Sequence, residues 1–148
     1  MDQNALASFY NQPLNALYNP GTAAIRSDQD NMRAATNTLG LTPQEQALYQ
    51  RHLDNLSGFG GVMNDDGSRS TLYQGVVQGP GGRFYNVPTV WDGQILPFPE
   101  ALKRVSAVGW DKFPSYATPE EADARYDAMH HYMDRDTGRY LRSRGLLR

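Results

Sequence analysis

Residues 70–96 read STLYQGVVQGPGGRFYNVPTVWDGQIL. Ser70 to Gln78 carries Leu72, Val76 and Val77, and Arg83 to Trp91 carries Phe84, Tyr85, Val87, Val90 and Trp91. Between them lies Gly79-Pro80-Gly81-Gly82, so the stretch predicts a β-hairpin with a four-residue loop. Pro88 has no N–H to give a ladder, so the second strand is an edge or bends there. Asp92-Gly93 is a second turn, and Gln94 to Leu96 supplies a short third strand. A hairpin alone is marginal in water, so this ribbon needs a helix or a neighbour's sheet to lean on.

Helical signals flank the ribbon. Thr42-Pro43-Gln44-Glu45 is a capping box with proline at the first helical position. Tyr49, Leu53 and Leu56 follow at helical spacing, which predicts a helix over 41–57, closed by Gly58, Gly60 and Gly61. Asn64-Asp65-Asp66-Gly67-Ser68 reads as a tight polar turn. Pro99 opens a short helix through Val108, with Leu102 and Val105 inward and Gly109 at its end. Trp110 to Tyr116 is an aromatic connector. Thr118-Pro119-Glu120-Glu121 repeats the capping box and starts a helix to about Arg135, with Ala122, Tyr126, Met129 and Met133 on one face. Gly138 marks its end. Trp91, Trp110, Phe113, Tyr116, Tyr126 and Tyr132 are expected to form a mini-core that pins the hairpin to this last helix.

The expected fold class is therefore α+β. It is a small domain over 42–138, with a β-hairpin or three-stranded ribbon packed on helices. An extended or helical N-terminal arm, 1–41, precedes it, and a basic tail, 139–148, follows. Residues 1–40 hold five charges and nine Asn or Gln, too little apolar surface for a core of their own. Leu6, Phe9, Tyr10, Leu14 and Leu17 form a sticky segment before the break at Asn19-Pro20-Gly21. Thr22 to Leu39 is polar around most of its surface, and a helix of that kind needs a partner.

Composition narrows the function. The chain has 148 residues, a formal net charge of −2 and no cysteine. That excludes disulfides and thiolate sites, and it argues against a dedicated nucleic-acid binder. No run approaches the roughly 18 apolar residues of a membrane span. The start has neither a basic nor an apolar leader region, so no signal peptide is expected. His130 and Asp134 are i, i+4 neighbours, but no third metal ligand has a recognisable spacing. Asn64-Asp65-Asp66-Gly67 fails as a calcium loop, because Val62 and Tyr73 would fall at ligand positions.

Catalytic patterns fail similarly. The four glutamates, Glu45, Glu100, Glu120 and Glu121, all sit in predicted first turns, where the helix dipole favours the ionised form. A glycosidase acid needs the opposite shift. Asp66, Asp92 and Asp111 are turn residues. Ser68, Ser70 and Ser115 lack a nucleophile-elbow pattern, and Gly79–Gly82 is followed by a strand, not by the helix of a phosphate loop. Arginine supplies twelve of the fourteen basic residues. Arg139, Arg142 and Arg144 make the tail a candidate contact for an acidic neighbour chain and, less specifically, for DNA.

Taken together, several stretches resemble a segment of tailed-phage and prophage virion proteins. These are Leu48-Tyr49-Gln50-Arg51-His52-Leu53, Gly82-Arg83-Phe84-Tyr85-Asn86-Val87-Pro88-Thr89-Val90-Trp91-Asp92-Gly93 and Gly109-Trp110-Asp111-Lys112-Phe113-Pro114-Ser115-Tyr116. Thr118-Pro119-Glu120-Glu121-Ala122 extends the resemblance, which spans about residues 42–138. It implies a minor structural protein of the virion, made in the host bacterial cytoplasm. Such a protein binds other virion chains in a symmetric multi-copy assembly at the head–tail region, the tail or among ejected internal proteins. The expected contacts are Leu6, Phe9, Tyr10, Leu14, Leu17, Trp91, Arg139, Arg142 and Arg144. No enzyme activity, cofactor, small-molecule substrate or membrane span is expected. The alternatives are a wall-acting phage enzyme or accessory subunit, a shell decoration protein, and a non-virion host-binding protein.

Overall fold

The Thr42–Glu45 box forms as its spacing dictates. In the computed structural model, which describes residues 20–58, 60–65, 69–143 and 145, the Glu45 N–H donates to Thr42 Oγ1 at 3.1 Å. The Thr42 N–H in turn donates to Glu45 Oε1 at 2.9 Å. This opens α2 (Pro43–Ser57), with Gly58 as its C-cap. Before it lies α1 (Pro20–Leu39), and Gly40, at φ 63°, reverses the chain between them. Only a residue free of a Cβ takes that conformation cheaply.

The β region divides more finely than the sequence suggests. Strand β1 (Val62–Met63) pairs antiparallel with β2 (Arg69–Ser70). Strands β3 (Gly75–Gln78) and β4 (Phe84–Val87) make the expected hairpin, with Val76 opposite Asn86. Its loop closes through the Gly79 N–H to the Arg83 carbonyl, with Gly81 and Gly82 at positive φ. Strands β5 (Val90–Trp91) and β6 (Gln94–Ile95) form a second small hairpin. Asp92 and Gly93 sit at φ 52° and 76°, the mirror-image turn that such two-residue loops favour.

Helix α3 (Phe98–Val108) ends at Gly109, and β7 (Ser115–Tyr116) then pairs with β4. The last element is α4 (Pro119–Ser143), entered through a hydrogen bond from the Glu121 N–H to Thr118 Oγ1. The molecule is thus α+β, with small antiparallel sheets among helices.

Two apolar clusters hold it together. Ala35 of α1, Leu48, Tyr49 and Leu53 of α2, and Met129 and Met133 of α4 meet with Leu72 and Leu41. The second cluster joins Tyr85 and Val87 of β4 to Trp91, to Ala101 and Val105 of α3, and to Phe113.

Five expectations are corrected. The long first strand breaks at 71–74, because Thr71 and Leu72 turn inward and Tyr73 adopts φ 44°. The third strand of the central sheet is Ser115–Tyr116; Gln94–Ile95 pairs elsewhere. The aromatic mini-core divides: Trp91, Trp110 and Phe113 join the α3 cluster, while Tyr132 joins the helical one. Helix α4 runs through Gly138, because Leu141 is buried and anchors one more turn. Finally, the boundary at 41 falls inside a packed unit. Ala35 and Leu41 are buried, so the second half of α1 belongs to the core and not to an arm.

Candidate binding cleft

Asp136 follows Met129 and Met133 along the buried face of α4 and is itself fully buried. Its Oδ1 accepts from Asn31 Nδ2 of α1 at 2.7 Å, and its Oδ2 accepts from the Tyr49 hydroxyl of α2 at 2.5 Å. One carboxylate thereby ties three helices. His52, one turn after Tyr49, places Nε2 at 3.5 Å from Asp136 Oδ2. Its Nδ1 shares a 2.6 Å hydrogen bond with Thr71 Oγ1. The network therefore reaches from α1 to the 71–74 loop.

Glu45 is the second buried carboxylate. Arg125 of α4 grips it with two hydrogen bonds of 2.8 Å, and the Tyr116 hydroxyl donates at 2.7 Å. Burial pushes its pKa up, but the bonds from Arg125, the Thr42 N–H and Tyr116 outweigh that and hold it below the usual carboxylate range. Burial, together with the bond to the Glu45 carboxylate, pushes the Tyr116 phenol up, so it remains a donor. The same Arg125 donates to the Leu39 carbonyl at 2.9 Å and so fastens the end of α1.

Above the His52–Thr71 pair lies an open cleft of about 350 Å3. The segment from Asn64 and 69–74 forms one wall, and Tyr126, His130, Met133, Asp134 and Thr137 of α4 form the other. Tyr126 stacks on His130 with ring centroids 5.3 Å apart, and His130 Nε2 meets Asp134 Oδ1 at 3.2 Å. Arg69, also on the lining, donates to the Gly58 carbonyl at 2.8 Å. The rim residue Tyr73 is 62% exposed. Burial, with Asp127, Asp134 and Tyr73 nearby, pushes the Tyr126 phenol up.

The contact residues expected from sequence do not gather here. Leu6, Phe9, Tyr10, Leu14, Leu17 and Arg144 lie outside the described residues. Trp91 is 8% exposed, donates Nε1–H to the Pro88 carbonyl at 2.9 Å and lies 3.9 Å beneath the Arg51 guanidinium. It is an internal anchor, which corrects its expected role as a partner contact. Arg139 and Arg142 stand on the last turns of α4, half-buried and exposed respectively. Asp92 pairs with Arg104 at 3.0 Å on the surface.

His52 and Asp136 were not anticipated, although each sits in a stripe the spacing had marked. His52 lies between Tyr49 and Leu53, and Asp136 is one turn beyond Met133. A polar residue in an apolar stripe is the available signal. Among the described residues, no three His, Asp or Glu side chains are grouped to hold a metal ion, and no helix is long and apolar enough to cross a membrane.

In comparisons with known proteins, no family model, curated protein or solved structure matches this chain. The arrangement itself offers rigidity and a recessed surface. Both buried carboxylates have their oxygens committed to internal donors.

Proposed function

We propose that this chain is a minor structural protein of a tailed-phage particle. It binds neighbouring virion chains in the head–tail, tail or ejected-protein assembly. The observation that carries the reading is the direction of α1. Asn31 meets Asp136, whereas the Leu39 carbonyl meets Arg125. The two helices therefore run antiparallel, and the Pro20 end of α1 points towards the Ser143 end of α4. Residues 1–19, with Leu6, Phe9, Tyr10, Leu14 and Leu17, precede Pro20 in sequence, and Arg139 and Arg142 stand on the last turns of α4. The apolar, amide-rich segment thus joins α1 at the end nearest the half-buried Arg139 and the exposed Arg142, a combination suited to an acidic neighbour chain.

The resemblance of residues 42–138 to phage virion segments points the same way. A wall-degrading enzyme fits less well. Glu45 is held ionised by Arg125 and cannot serve as a general acid near neutral pH.

Quantitative mass spectrometry of purified particles tests this reading. The expected result is the chain at a fixed, symmetric copy number per particle. Its absence from particles that otherwise assemble fully would refute it.

A further inference from the structure

Tyr73 holds a left-handed backbone conformation that disfavours a non-glycine residue of its bulk. Its φ is 44°, yet its ring is 62% exposed and secures no core. Asparagine or glycine would take the same backbone at lower cost. The surrounding structure nevertheless fixes it firmly. Leu72 is buried beneath it, and the Leu72 carbonyl accepts from the N–H groups of Thr89 and Val90 at 2.8 and 3.2 Å. The Tyr73 carbonyl accepts from Thr89 Oγ1 at 2.6 Å. The result is an aromatic ring presented at the rim of the cleft.

Among the remaining lining residues, Asp134 pairs with His130, and Arg69 donates to the Gly58 carbonyl. Beside them stand neutral groups able both to donate and to accept. Gln74 lines the cleft with an amide, Thr137 with a hydroxyl oxygen whose proton goes to the Met133 carbonyl at 3.2 Å, and Tyr126 with a half-buried ring. The floor is the rigid Thr71–His52 pair. Its volume of about 350 Å3 lies within the range of small-ligand sites.

We propose that this cleft binds a neutral sugar unit of a glycan, which stacks on Tyr73 and Tyr126 and bonds through its hydroxyls to Gln74 and Thr137. A pyranose ring has one face of C–H groups and a rim of hydroxyls. It therefore matches aromatic faces bordered by uncharged donors and acceptors. An apolar ligand would strand the Gln74 amide. The glycan is held and not turned over, and the site stands apart from the particle-assembly reading.

The test is an amide-resolved NMR titration of the full chain with four neutral oligosaccharides at millimolar concentration: the trimers of N-acetylglucosamine, glucose (α-1,4 and β-1,4 linked) and mannose. A uronic-acid oligomer serves as the charged comparison. At least one neutral trimer is expected to shift residues 69–74 and 126–137 saturably. Tyr73→Asn should weaken that binding at least tenfold while melting no lower than the parent chain, because asparagine suits the backbone. Tyr73→Phe should bind within about twofold. The proposal is overturned if no neutral trimer shifts those residues, if the uronic-acid oligomer binds best, or if Tyr73→Asn binds unchanged.

Discussion

At the residue scale, Glu45 and Asp136 do most to define the molecule. Glu45→Gln keeps one acceptor oxygen, but it takes the opposing charge from Arg125 and replaces the other acceptor shared by Arg125 and Tyr116 with an amide donor. Arg125 is partly exposed, which softens the loss, so Glu45→Gln is expected to cost about 2–3 kcal/mol in a urea melt. The pH dependence follows from the direction of the shift. The folded-state pKa lies below the unfolded value of about 4.3, so the contribution is complete above that value. It is lost as pH falls through the folded pKa. The gap in stability between parent and variant should therefore shrink below about pH 4. Tyr49→Phe removes a donor from the Asp136 carboxylate and should cost about 1.5–3 kcal/mol. Little of this was legible beforehand. The capping box announced Glu45 as a cap, but its ties to Tyr116 and Arg125 cross more than 70 positions, and no local pattern encodes them. His52 and Asp136 were hidden for the opposite reason: they sit among apolar neighbours that invite a purely hydrophobic reading.

Elements with local causes were the readable ones. Both Thr-Pro-x-Glu starts, the Gly79–Gly82 loop and the Asp92-Gly93 turn form where their residues dictate. The failures came where tertiary packing overrode local signs. Gly138 suggested a stop, yet the buried Leu141 carries α4 through it. A Cβ at position 138 would meet only the end of the exposed Arg142 side chain, 3.3 Å away. Gly138→Ala is therefore expected to raise stability by about 0.5–1 kcal/mol, measured as a higher melting midpoint. Gly75 behaves oppositely. A Cβ there would sit 2.4 Å from Phe98 Cε2, so Gly75→Ala must displace the ring that seats α3 against β3. The expected cost is about 1–3 kcal/mol, with near-ultraviolet circular dichroism reporting the loosened aromatic cluster. Strand β7 could not be foreseen, because two residues carry no periodicity; only pairing with Phe84 and Tyr85 makes Ser115–Tyr116 a strand.

The whole molecule is a helical body and a β–α3 body fastened by polar clamps. A helix of α1's composition would be marginal in isolation, and its docking through Asn31, Ala35 and the Leu39 carbonyl explains how it persists. Two truncations separate folding from attachment. Removal of 1–41 takes Ala35 and Leu41 from the core and should leave a chain that does not fold cooperatively. Removal of 1–19 spares every contact described here. The most direct measurement is incorporation of that shorter truncation into phage particles, scored beside its thermal melt. The account predicts a melt within a few degrees of the full chain and no detectable copies in the particle. Incorporation at the full chain's copy number would contradict it.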